Sequence, residues 1–190
     1  RNVGADSPEA YGDYFAWGET EPKDYYYWNS YKWCNGSSST ITKYCTKSSY
    51  GTVDGKTVLD LGDDVAYVNI GSEWCMPTYG EWYELYKNCS WSLTTQNGVS
   101  GCKVTGPNSN SIFLPAAGCR IDNCICESGE FGHLWSSTAN SSTSDNISFA
   151  HSLHFGDSGI NLSGFDDCLN GRSVRLVKPS CWETEQKELM

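Results

Sequence analysis

Asp64-Val65-Ala66-Tyr67-Val68-Asn69, followed by Trp74-Cys75-Met76-Pro77-Thr78 and Glu81-Trp82, carries the strongest local signals in this chain. Thr78 and Glu81 have the spacing of a capping box, in which the hydroxyl accepts from the third helical N–H and the carboxylate reaches back. Pro77 stands just outside, and Trp82, Leu85, Tyr86 and Cys89 follow at i, i+3, i+4 and i+7. That pattern predicts an amphipathic helix beginning at Thr78. Asp63 and Asp64 ahead of Val65, Ala66 and Val68 predict a second, shorter helix with acids at its positive end.

Toward the N-terminus the chain reads as strands and turns crowded with aromatics. Tyr14-Phe15-Ala16-Trp17-Gly18 is a short apolar strand by pattern, and Tyr25-Tyr26-Tyr27-Trp28 with Tyr31 and Trp33 forms an aromatic loop or strand. Asn35-Gly36-Ser37-Ser38-Ser39 and Asp54-Gly55 are turn signals. Toward the C-terminus, strands are predicted at Ile112-Phe113-Leu114, Trp135-Ser136-Ser137, Leu153-His154-Phe155 and Arg172–Val177, with Ser/Asn/Asp/Gly-rich loops between them. Trp17, Trp82 and Trp135 are expected in the core. Without a repeat or a linker, one domain is expected over residues 1–179, with 180–190 as an exposed tail.

The chain has 190 residues and a net charge of −10, from 13 basic and 23 acidic side chains. No basic stripe exists to neutralise phosphates, so nucleic acid is not an expected partner. No apolar run approaches the ~20 residues of a membrane span, so direct insertion is not expected either. The start at Arg1 reads as an interior cut, which leaves export open. The composition is lopsided. No Lys occurs between Lys103 and Lys178 and no Tyr after Tyr86, while His133, His151, His154, Cys119, Cys124, Cys126 and Cys168 crowd one C-terminal region.

The central stretch resembles the "DA-x-AY…R-L-P-T-x-x-E-W" core of formylglycine-generating-enzyme-like domains, a branch of the C-type lectin fold. The match is closer to one subfamily, the Fibrobacter succinogenes major paralogous domain of Bacteroidetes surface proteins. Its hallmarks stand here as Asn2-Val3-Gly4-Ala5, Gly12–Thr20, Trp33-Cys34-Asn35-Gly36, Leu114-Pro115-Ala116-Ala117-Gly118, Trp135-Ser136-Ser137 and Gly171–Arg175. The resemblance runs from about residue 2 to 177. It implies an α+β domain of C-type lectin fold: two helices around a twisted antiparallel sheet, long irregular loops, and termini joined by the first and last strands.

Such a fold does not fix a function, which must come from a site. Cys119 and Cys124 have the four-residue spacing of the cysteine pair in formylglycine-generating enzymes. That would make the chain a copper- and oxygen-dependent oxidase, but the pair's place relative to the last strand differs, and only Arg120 offers a nearby positive charge. Cys119, Cys124, Cys126 and His133 are the right ligand types for zinc but lack a second C-x₂₋₄-C pair. On a strand, His151 and His154 would face opposite ways and not chelate together. Glu21-Pro22-Lys23 and Trp28-Asn29-Ser30 superficially resemble sugar-binding lectin motifs, but Lys23 puts a cation where calcium needs an oxygen. No cofactor or metal is expected.

The remaining signal lies in the C-terminal composition. Cys119, Ile121, Asp122, Cys124, Ile125, Cys126, His133 and Leu134 fit neither core nor ordinary loop. Neither do Ser148, Phe149, His151, His154, Leu162, Ser163, Gly164, Phe165, Asp167, Cys168 and Leu169. All these types have codons ending in C or T, and Lys, Gln and Met are absent from 104–177. Adenine-directed mutagenesis of Asn codons would write that alphabet. The chain thus resembles the variable protein of a diversity-generating retroelement, with a variable region at 119–170. The resemblance implies a non-enzymatic, receptor- or adhesin-like binding domain, extracellular or on a cell or phage surface, recognising a protein or glycan. Phe149, Phe165, Ile121, Ile125 and Leu169 would supply apolar contacts, and Asp122, Asp167, His151 and His154 polar ones. The rival classes are the oxidase and a structural fimbrial or phage-tail component.

Overall fold

The computed structural model describes residues 1–140, 149–162 and 165–178, with Phe165 described by its backbone alone. Ser148, Ser163, Gly164 and the tail expected at 180–190 lie outside the described residues. Among the described residues the architecture is α+β, with two α-helices and named strands that pair only in antiparallel fashion.

Both predicted helices form where the capping chemistry placed them. Helix α1 spans Val65–Ile70, and the Asp64 carboxylate accepts from the N–H groups of Ala66 and Tyr67. A second Asp64 oxygen accepts from Met76 N at 2.8 Å, which ties the helix start to the next segment. Helix α2 spans Tyr79–Asn88 with the complete Thr78–Glu81 box. Of its predicted apolar stripe, Trp82 is buried, Leu85 and Cys89 are half-buried, and Tyr86 is exposed.

After α2 come β1 (Ser90–Gln96), β2 (Val99–Thr105) and β3 (Ser111–Pro115), a three-stranded sheet in sequence order. The β1–β2 hairpin, which the patterns above leave unassigned, turns at Asn97-Gly98 with φ of 50° and 83°. Positive φ at both central residues marks the tight turn that matches strand twist. Strands β4 (Cys119–Ile121) and β5 (Cys124–Cys126) form a separate small hairpin. The last sheet contains β6 (Gly132–Ala139), β7 (Phe149–Gly156), β8 (Gly159–Asn161) and β9 (Phe165–Asp167), with β7 bonded to each of the others.

The segments expected as strands at Tyr14–Gly18 and Arg172–Val177 are instead extended chain held by isolated bridges. These include Phe15↔Arg172, Leu134↔Ser173 and Asn2↔Arg175, the last of which joins the two ends of the described chain. The first of these segments is also tied by aromatic side chains that donate to distant carbonyls. Trp17 Nε1 donates to Ser136 O at 2.8 Å, Trp135 Nε1 to Phe15 O at 2.8 Å, and Tyr26 OH to Tyr14 O at 2.6 Å. Trp17, Trp82 and Trp135 are core residues, as expected.

Strand β6 is buried on both faces. Leu134 packs with Trp82, Leu114, Leu153 and Phe155, whereas its neighbour Trp135 packs with Phe15, Trp17 and Val174. Alternation along one strand thus divides the interior into two clusters. Trp82 Nε1 donates to Trp135 O at 3.2 Å, fixing α2 to this strand.

Candidate functional site

The β4–β5 hairpin is short but anchored on several sides. Cys119 pairs with Cys126, Arg120 with Ile125 and Ile121 with Cys124. The Arg120 N–H donates to Gly171 O at 2.7 Å and Gly171 N–H returns to Arg120 O at 2.9 Å. Tyr26 N–H donates to Asp122 O at 2.9 Å and Gly118 N–H to Phe131 O at 2.7 Å. Gly118 has φ +65°, and a Cβ there would lie 2.1 Å from the Cys126 carbonyl oxygen, so no other residue fits. The hairpin therefore presents its far end from a fixed base.

That far end is where the expected contact residues reach solvent. Ile121, Asp122, Cys124 and Ile125 are exposed and Cys126 is half-buried, with Ile125 at 52% of full exposure. Beside the hairpin opens a polar cavity of about 430 Å³, lined by Asp13, Tyr14, Lys23, Asp24, Tyr26 and Arg120. Lys23 Nζ bonds Glu19 and the Ser30 carbonyl at 2.8 Å each.

Below the hairpin the same stretch of sequence turns inward, and part of the expected face is corrected. Cys119, Leu134, Leu162, Cys168 and Leu169 are buried, so their side chains support the core and offer no surface to a ligand. Leu134 and Leu162 join the cluster around Trp82, and Cys168 and Leu169 the cluster around Trp17. His133 is buried as well. Phe149, His151, His154 and Asp167 are half-buried. Ser148, Ser163, Gly164 and the Phe165 side chain lie outside the described residues.

The inward side chains form a polar cluster that no local spacing announces. His133 on β6 and His154 on β7 are direct cross-strand partners, their rings 4.5 Å apart and edge to face. His154 Nε2 meets Asp166 Oδ2 at 2.6 Å and Ser152 Oγ at 2.8 Å. Asp166 Oδ1 accepts from Arg172 Nη2 at 2.5 Å. On the other side, His133 Nε2 lies 2.6 Å from Glu127 Oε2. His151 points away from His154, as alternation requires, and its ring packs 4.3 Å from that of Tyr79 at the start of α2.

Burial sets the electrostatics here. It lowers the pKa of His133 to about 4, assisted by the charges of Arg172 and His154 and opposed by Glu127, so the ring is neutral near pH 7. Burial pushes Asp166 up, but the His154 hydrogen bond and the Arg172 charge prevail and hold it at about 2. Burial also raises the Cys119 thiol.

These facts bear on the chemistry the cluster can perform. Ser152, His154 and Asp166 contain the residue types of a hydrolytic triad, but serine and carboxylate share one ring nitrogen. A proton relay needs them on opposite nitrogens. The Cys119 thiol is buried with a raised pKa, while Cys124 is exposed two positions further along the hairpin, opposite Ile121. A reactive cysteine pair needs an accessible, thiolate-stabilised sulfur. The zinc set of Cys119, Cys124, Cys126 and His133 is also replaced. Among the described residues, the donor atoms that approach one another within 4.8 Å are those of Cys119, Glu127 and His133, and those of His133, His154 and Asp166. Glu127, Asp166 and Arg172 were not among the expected site residues.

No family model matches this chain, and neither does any curated protein or solved structure. The family resemblance therefore stands on the ordered motifs alone. Among the described residues, no helix is long and apolar enough to cross a membrane.

Proposed function

We propose that the chain is a non-enzymatic ligand-binding domain of C-type lectin fold, in the formylglycine-generating-enzyme-like branch, diversified by a retroelement. In this reading it recognises a protein or glycan at a cell or phage surface. The observation that carries it is the anchored β4–β5 hairpin, whose exposed residues Ile121, Asp122, Cys124 and Ile125 belong to the compositionally unusual stretch.

Apolar side chains displayed on a fixed backbone bind at low ordering cost, the logic of a paratope on a rigid frame. The neighbouring polar cavity supplies charged groups of both signs from Asp13, Lys23, Asp24 and Arg120. Apolar anchors beside polar groups are the usual anatomy of a recognition patch. The α+β arrangement, with the two described chain ends bridged at Asn2↔Arg175, accords with the proposed fold.

Sequencing the coding locus tests the diversification claim. The expected finding is a nearby reverse-transcriptase gene and a template repeat that differs from the codons of 119–170 only at adenines. Purine-ending codons at Ile121, Ile125 and Leu162, with no template repeat, would overturn it.

A further inference from the structure

The cluster beneath the hairpin has a donor set that recognition does not use. We propose that His133, His154 and Asp166 form a site for a divalent transition metal of the zinc type, built into the floor of the binding face.

Two imidazoles and a carboxylate are a common donor set for such ions. Their donor atoms already lie within 4.8 Å of one another, and β6, β7 and β9 each contribute one residue. Ligand atoms around zinc sit roughly 3.3 Å apart at metal–ligand distances near 2.0–2.2 Å, so small side-chain adjustments close the site. His154 and Asp166 are half-buried, which leaves an approach from solvent.

A second observation concerns His133. Its Nε2 faces Glu127 Oε2 at 2.6 Å, while Nδ1 is buried and without a hydrogen-bond partner among the described residues. When Nε2–H donates to a carboxylate, the lone pair belongs to Nδ1. Metal-ligating histidines are typically oriented by such a bond on the nitrogen that does not bind the ion. An orphaned buried acceptor is costly in a core, and a cation would satisfy it. Asp166 is oriented in a similar way: Arg172 holds Oδ1, and Ser152 donates to Oδ2 at 2.6 Å on the side facing His154. Without an ion, His154 Nε2–H donates to Asp166 Oδ2, and a shift of that proton to Nδ1 frees the Nε2 lone pair for the metal.

The test uses the whole chain, stripped with a chelator and titrated with cobalt(II) followed by visible absorption, then with zinc as competitor. The expected result is one saturable equivalent with the intense bands of low-coordinate cobalt, displaced by zinc. Affinity should fall about tenfold or more in His154→Gln and Asp166→Asn. It should be unchanged in Cys124→Ser/Cys126→Ser, which removes the two β5 thiols of the hairpin. Absence of a saturable band would overturn the proposal, as would binding that survives His154→Gln but disappears with the two cysteines. Should the histidine variant fail to fold, zinc-edge X-ray absorption on the unaltered chain decides. A nitrogen/oxygen shell near 2.0 Å with imidazole scattering supports the site, and a sulfur-dominated shell near 2.3 Å overturns it.

Discussion

The β4–β5 hairpin and the β6–β7–β9 floor beneath it come from the same Cys-, His- and Ile-bearing stretch, yet their side chains meet opposite environments. On the hairpin, Ile121, Cys124 and Ile125 stand exposed; in the floor, His133, Ser152 and Arg172 are buried and bonded to neighbours from other segments. Cys119 and Cys124 show the contrast within one hairpin, the first buried and the second exposed. The difference separates a surface that can change from a support that cannot. Exchange at the hairpin tip costs little in folding, whereas exchange in the floor strands a charge or an unpaired polar atom.

The strongest test of that division is Arg172→Ala. It removes the cation that Asp166 Oδ1 accepts from in a buried setting, and the expected loss is about 3 kcal/mol or more in chemical denaturation. A loss as small as that of a surface substitution would dissolve the distinction between floor and hairpin.

The next effect is a pH dependence, measured in chelator so that no metal contributes, to which the floor's His133 and the burial-lowered His151 add with the same sign. His133 has its folded pKa lowered to about 4 from 6.5. Above pH 6.5 the ring is neutral in both states and imposes no penalty. As pH falls toward 4 the unfolded chain takes up a proton that the folded chain does not, so stability should drop by about 3 kcal/mol. Asp166, lowered to about 2 from 3.8, stabilises above its unfolded pKa, and that contribution is lost progressively from about 3.8 down to about 2. Urea midpoints that stay flat between pH 7 and 4 would place His133 outside the buried set.

Thr78→Ala should cost about 1 kcal/mol, because it removes the cap of the helix that backs β6 through Trp82. The smallest effect should come from Ile125→Ser, within about 0.5 kcal/mol of the unaltered chain by urea denaturation. A large loss there would mean that the hairpin tip is structural, which would break the comparison from its other side.

How far the sequence could be read follows from the range of each interaction. Both helices were legible because their signals are local: Asp64 and Thr78 bond backbone groups two or three residues away. The β1–β2 hairpin is equally local: Asn97-Gly98 follows the alternating Ser90-Trp91-Ser92-Leu93, although the elements assigned from the sequence do not include it. The extended segments near Phe15 and Arg172 looked like strands because their composition suits one, but their partners lie across the chain and bond them singly. The candidate face was legible as a region. Its members were not separable: Leu169 and Ile125 look alike in composition, yet one is 7% and the other 52% exposed.

The sequence by itself determined the two caps, the three core tryptophans and the compositional oddity of the C-terminal region. All of these are written in neighbouring residues or in residue type. Only the tertiary structure decided which side of that region faces solvent, and that His133, His154, Asp166 and Arg172 meet. The reason is strand register. Cross-strand pairing sets His133 opposite His154 and Ala150 opposite Asp166, and a slip of one residue would turn each of these side chains to the other face.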